Sequence, residues 1–496
     1  MSSLSNVTLS TAKSTAVWPR NACVPRSLLV PSEFLSRAEC TALFEQIVGL
    51  TRGGGETYVM ITSAWRGGTQ WARSRVHMAS ETRTTSVAIS RTIRGAWGAA
   101  GTTRLDAEGL QQAVRDAEQA LLLRREAYEQ LHDAEHEQAH DADALSSAPT
   151  LQPTLWDEAT YRVSAETRTQ LAQAMLAEAD DAGLLAFGAL HLIASGNATL
   201  ATDGLVQYYP TTEVLCSVTV RDPKGIASGW AGVNHYALGK IDPHAIAARA
   251  LEKCQRMYTP TPPSAIEPGR YTVILEPQAT ADLFAPVMNW LERETAELPE
   301  GPFGGRESGR SKIGERVLDR RLTLRSDPMD PDGGFLPYDT SNGTPYQPVT
   351  WIDRGVLRAL AYDRRYALRT LHRETALPNP RAFRLAPADG VPTATLEELI
   401  ATTARGILVT RFHDVRLLDM NSLLCSGYTR DGLWLIEDGK ISRPLKNFRF
   451  AESPLFILNK VEAIGVPQRV FAPGRAYVAP AVRVKDFSFT GLADGV

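Results

Sequence analysis

The chain of 496 residues has no cysteine framework, no long apolar run and no excess of one charge sign. Its five cysteines, Cys23, Cys40, Cys216, Cys254 and Cys425, are odd in number, widely spread and nowhere paired as CxxC. That argues against a disulfide scaffold or a zinc ribbon and for a reducing compartment. Residues 1–16 are rich in Ser and Thr and lack the apolar core of a secretory signal. The most apolar stretch, residues 183–194, is too short to cross a bilayer and is interrupted by His191. Cytoplasmic residence without a membrane partner is the expectation. Lys and Arg number 53 against 56 Asp and Glu, a formal balance of −3, so bulk charge favours no nucleic-acid partner.

What is present is an ordinary globular mixture, 43% hydrophobic and 22% charged, long enough for two to four domains. Residues 56–94 alternate apolar Tyr58, Val59, Ile61, Val87 and Ile89 with Thr, Ser and Gly, a pattern of short strands and turns. Asp106 opens a helix with Leu110, Ala113, Val114, Ala117 and Leu121 on one face, running towards His140. Ser164 begins another, ending near Gly183. The alternation around Cys216, the turn at Asp222, Pro223 and Gly225, and the return through Val233 read as a hairpin. Asp242 and Pro243 then cap a helix whose apolar face includes Ala250 and Cys254, which makes Cys254 a core residue. Breakers concentrate between Pro260 and Gly269, placing a boundary near residue 265. The expected domains are therefore 1–265 and 266–496. Beyond the boundary, residues 271–276 read as a strand, 279–295 as a helix and most of the remainder as short strands.

Several motifs have possible chemistry. His136, Glu137 and His140 spell HExxH, which on a helix puts two imidazoles on one face with a carboxylate beside them. A working zinc helix is embedded in apolar residues, whereas Asp133, Glu135, Asp141 and Asp143 describe a solvated face. The run from Gly304 to Ser311 approaches a phosphate-binding loop with Arg310 in place of lysine, but residues 298–303 do not form the strand such a loop needs. There is no GxSxG elbow. Asp327, Asp330, Asp332 and Gly333 lack the spacing of a calcium loop and read as an Asp-Pro turn. Cys425 follows Leu423 and Leu424 and reads as buried.

The C-terminal third carries GLWLIEDGKISRP at 432–444, LKNFRF at 445–450, ESPL at 452–455 and LNKVEAIG at 458–465. Earlier come YTVILEPQATADL at 271–283, IGERV at 313–317, GVLRALAYDR at 355–364 and TLEELIATTARGIL at 395–408, with WAR at 71–73 and SGWA at 228–231. Together these passages resemble the TldD/PmbA family over nearly the whole chain, with the specific motifs after residue 270. The resemblance implies an α+β protein: an N-terminal α/β domain followed by a mainly-β domain with a curved, barrel-like sheet. It also implies a TldD-type subunit paired with a TldE (PmbA)-type subunit, acting as a zinc peptidase on unfolded or small peptides. In the family the metal-bearing subunit has HExxxH on the helix after the strand matching residues 271–276, and a late cysteine as third ligand. Ala285, Pro286 and Trp290 occupy those three positions here, and residues 469–482 contain no cysteine. The chain thus resembles the metal-free TldE type. This implies no cofactor of its own, zinc in a TldD-like catalytic partner within a heterodimer or larger assembly, and a peptide groove to which Arg310 and Lys312 are assigned. Two other readings stand beside it. One is a self-sufficient zinc hydrolase with His136 and His140 as ligands and Glu137 as base; the other is a homo-oligomeric peptide-binding scaffold without proteolysis.

Overall fold

The computed structural model of the chain describes residues 34–93, 96–131, 151–258, 262–298, 301–305, 309–373 and 375–493. Its first strands are longer than the sequence pattern suggests. β1 (Glu56–Ala72) and β2 (Arg75–Ile93) form one antiparallel hairpin instead of several short strands. Their Gly, Ser and Thr residues, which read as turn material, alternate in the ladder without ending it. β3 (Ala96–Thr102), β4 (Leu185–Ala201), β5 (Val206–Arg221) and β6 (Ser228–His235) complete a six-stranded antiparallel sheet in the order β3-β2-β1-β4-β5-β6.

Period-two alternation divides this sheet into two faces. Val59, Ile61, Trp65, Leu190, Leu192, Val214, Cys216 and Val218 are buried on one, beneath the helices. α1 (Arg37–Leu50) and α2 (Ala107–Leu131) cover one end of that face. After the short α3 (Glu158–Tyr161), α4 (Ala165–Asp181) and α5 (Pro243–Met257) cover the other end. Caps fix where these helices start: Ser164 accepts from the Thr167 amide, and Asp242 from those of His244 and Ala245. The opposite face presents His191, Ser195, Asn197 and Glu213.

The described strands after residue 265 belong to two further sheets. β7 (Gly269–Leu275) lies inside a nine-stranded mixed sheet, parallel to Arg405–Val409 and antiparallel to Val482–Leu492. A six-stranded sheet includes Leu322–Ser326, Phe383–Pro387 and Tyr477–Ala479. The pairing order of each sheet is open, so the protein is mixed α+β, as the resemblance implies. One core fills the space around these two sheets. A second is shared, because Ile274, Leu408, Trp434, Ile436 and Ala481 pack into the cluster built on α4, α5 and the first sheet. No helix among the described residues is long and apolar enough to cross a membrane.

The expected helix over 279–295 is broken. α6 (Pro277–Phe284) gives way to a 3-10 segment, Ala285–Trp290, and then to a single turn, Arg293–Glu297. Pro286 has no N–H to donate to the Asp282 carbonyl and its ring crowds that position, so the α-ladder stops there.

Candidate functional site

The broken helix carries the three positions expected to differ from a metal motif. Val287 and Met288 point into the core, while Ala285, Pro286 and Trp290 are half-buried. A methyl, a pyrrolidine ring and an indole N–H provide no lone pair for a cation and no base for a proton. The residues at these three positions therefore do not fit zinc. Among the described residues no group of three His, Cys, Asp or Glu side chains converges as a metal-ligand set. His136, Glu137 and His140 lie outside the described residues.

Burial of Cys425 and Cys254 raises their thiols to about 11 and about 12, so neither is a ready nucleophile. Asp330 forms a two-pronged ion pair with Arg384 at 2.5 and 2.6 Å and accepts from the amides of Asp332 and Gly333, a structural turn. In the loop before it, the Lys312 amine donates to the Pro302 carbonyl at 2.8 Å, and the Arg310 carbonyl accepts from the Gly305 amide. Arg310 is exposed. Neither residue is among those lining the three cavities described below.

Charged groups concentrate where the first sheet meets the later strands. Glu276, at the end of β7, receives both Lys253 and Arg249 of α5 at 2.9 Å. Burial pushes the carboxyl up, but Lys253 and Arg249 outweigh it and hold Glu276 below its ordinary range. Ser228 of β6 donates to Asp431 at 2.8 Å, and Arg411, 3.5 Å from Asp431, lies over the Trp230 ring at 4.2 Å. One turn along α6, Asp282 accepts from the Phe412 amide and from Gln278, and burial raises it from 3.8 to about 6. Asn234 joins Glu213 at 2.8 Å to the Arg475 carbonyl at 3.0 Å, and its own carbonyl accepts from Arg469. Burial raises Glu213, and with the nearby Arg469 and Lys240 it lowers His235 to about 4.

Three cavities border this network. The first, about 330 Å³, runs beside Trp230, Gly232 and Val233 of β6, the last strand of its sheet, and is bounded by Arg249, Lys253 and Glu276. The second, about 280 Å³, lies over the helix-free face of the first sheet at Ser195, Asn197 and Glu213, with Tyr338 opposite. These two share Arg469. The third, about 510 Å³, shares Tyr346, Pro380 and Arg475 with the second and extends to Glu292, Asp339 and Arg381. Asn379, in its wall, donates from Nδ2 to the Met288 carbonyl, so the broken helix backs directly onto this cavity. The three lie side by side with shared walls, and together they make up a polar and aromatic trough along this junction. Such a surface suits an extended chain held by its backbone and side chains more than a compact apolar ligand.

Residues 268–491 match the PmbA/TldA metallopeptidase C-terminal domain. No curated protein matches the chain in sequence. Among solved structures it is similar to a candidate modulator of a DNA gyrase from Thermotoga maritima, at 17% identity and a TM-score of 0.73, over 91% of this chain and 100% of that one. A candidate modulator of DNA gyrase from Bacteroides thetaiotaomicron matches at 17% identity and a TM-score of 0.72, over 91% and 98%. TldE from Thermococcus kodakarensis matches at 16% identity and a TM-score of 0.72, over 91% and 100%. At these identities the structural likeness establishes the fold, and the family match rests on the second half of the sequence. What this chain shares in sequence with the PmbA/TldA metallopeptidases is thus their C-terminal domain, over residues 268–491.

Proposed function

We propose that this chain is the non-catalytic, TldE-like subunit of a heteromeric TldD/TldE-type zinc peptidase that acts on unfolded or small peptides. The observation that carries the reading is the turn Ala285–Trp290. Where the family resemblance expects a metal helix, this chain has a helix broken by proline, and Ala285, Pro286 and Trp290 at the motif positions can neither ligate zinc nor take a proton. The trough lets the subunit contribute geometry: an extended peptide can lie along β6 by strand addition and continue over the open face of the first sheet. Zinc and the general base then come from a TldD-like partner.

A second feature supports assembly with another chain. β3 pairs with β2 only from Val87 onward, so among the described residues nothing pairs with the outer edge of 75–86, and most of these residues are exposed. This edge contains no proline, although Arg75, Glu81 and Arg83 place charge along it. The test is peptide cleavage by the purified full-length chain alone, by a TldD-like partner alone and by the two together. Cleavage abolished by a chelator and requiring the partner is expected; chelator-sensitive cleavage by this chain alone refutes the proposal.

A further inference from the structure

Arg381 and Arg475 are brought together by a short parallel pairing. Phe383 is in register with Tyr477, the Phe383 amide donates to the Ala476 carbonyl at 3.0 Å, and the two rings stack at 4.3 Å. Each arginine lies two residues before its paired aromatic, so two cationic side chains leave neighbouring chain segments at the same end. Neither guanidinium makes an ion pair with a carboxylate among the described residues, and both are exposed and line the 510 Å³ cavity. Their backbones are nonetheless fixed. Arg381 has a left-handed φ of 52° and donates its amide to Asn379 Oδ1 at 2.9 Å. Arg475 donates its amide to the Ala472 carbonyl, and its own carbonyl accepts from Asn234 of β6. A non-glycine residue held in that left-handed conformation is a costly arrangement of the kind that persists at ligand sites.

We propose that Arg381 and Arg475 form an oxyanion clamp that takes the C-terminal carboxylate of an extended peptide lying in the trough; the occupant rests on the peptide reading above. Paired guanidinium groups match a planar carboxylate in shape and charge. The cavity has the volume of a short chain end rather than of a folded partner. Glu292 and Asp339, on its other walls, disfavour further negative charge and leave the arginines as the place for a terminal carboxylate.

The experiment is calorimetric titration of the full-length chain with an acetylated pentapeptide of alternating alanine and glycine, as the free acid and as the C-terminal amide. Thermal melts with and without inorganic phosphate run beside it. The free acid is expected to bind about tenfold more tightly than the amide. Phosphate is expected to compete with it, and Arg381→Gln and Arg475→Gln should each erase the preference while melting as the parent does. Equal binding of acid and amide, or a preference that survives in both variants, overturns the clamp and leaves the peptide reading standing. If no peptide binds but phosphate raises the melting temperature of the parent and of neither variant, the arginines hold a phosphate-like anion and the carboxylate occupant is overturned, while the subunit reading is decided by the cleavage assay above. If phosphate has no effect either, the anion site itself is overturned.

Discussion

Asp282 is the residue whose environment yields the sharpest quantitative expectation. Its carboxyl is raised from 3.8 to about 6 by burial, only partly offset by Gln278, Arg411 and the Phe412 amide. A raised carboxyl binds its proton more tightly folded than unfolded, so its favourable contribution is complete below about pH 4 and disappears as pH rises through about 6. Urea unfolding between pH 4 and 7 should show this loss, about 2 kcal/mol from this group, and Asp282→Asn should remove it. Unchanged pH dependence in the variant would dissociate Asp282 from the effect. Residue identities were legible in the sequence only where local context sufficed. Cys254 and Cys425 are buried, as their apolar neighbours imply. Glu213, Asn234 and Arg469, or Arg381 and Arg475, have no local signature, because sheet pairing and loop docking join segments far apart in the chain.

Among the elements, helices with both a cap and a 3.6-residue period were readable: α2, α4 and α5 start where Asp106, Ser164 and Asp242 indicate. α1 was not read, although Ser36 and Glu39 form a reciprocal capping box, a signal that could have found it. β4 was seen only as an apolar stretch, since its Ala, Gly and Ser residues are buried in a ladder between two neighbours and so lose the alternation of a half-exposed strand. The packing of α5 on β6 accounts for a small motif at 228–231. Ser228 bonds Asp431 and Trp230 stacks with Arg411. Between them Gly229 lets the helix approach so closely that an added Cβ would lie 2.2 Å from the Ala250 carbonyl oxygen and 2.5 Å from the Cys254 nitrogen. Gly229→Ala must therefore push helix and strand apart, and a loss of about 2–3 kcal/mol is expected in chemical denaturation. A loss below about 0.5 kcal/mol would show that the contact yields without cost.

At the scale of the whole molecule, the second half was the more legible. Its turns and short strands carry specific strings such as EDGKI, whereas the first half is built from a sheet whose residue choice is permissive. The two halves are joined by a common apolar core and by buried charge, Glu276 with Lys253 and Asp431 with Ser228, so the trough is positioned by both. That joint placement suits a subunit whose contribution is shape and charge and whose partner contributes the reacting centre. Metal content of the purified full-length chain, measured after dialysis against a weak chelator and compared with that of its assembly with a TldD-like partner, decides which subunit holds the reacting centre. Zinc far below stoichiometric in the chain alone and stoichiometric zinc in the assembly is the predicted result. Stoichiometric zinc retained by this chain alone, with peptide cleavage that disappears when the metal is stripped, would contradict it.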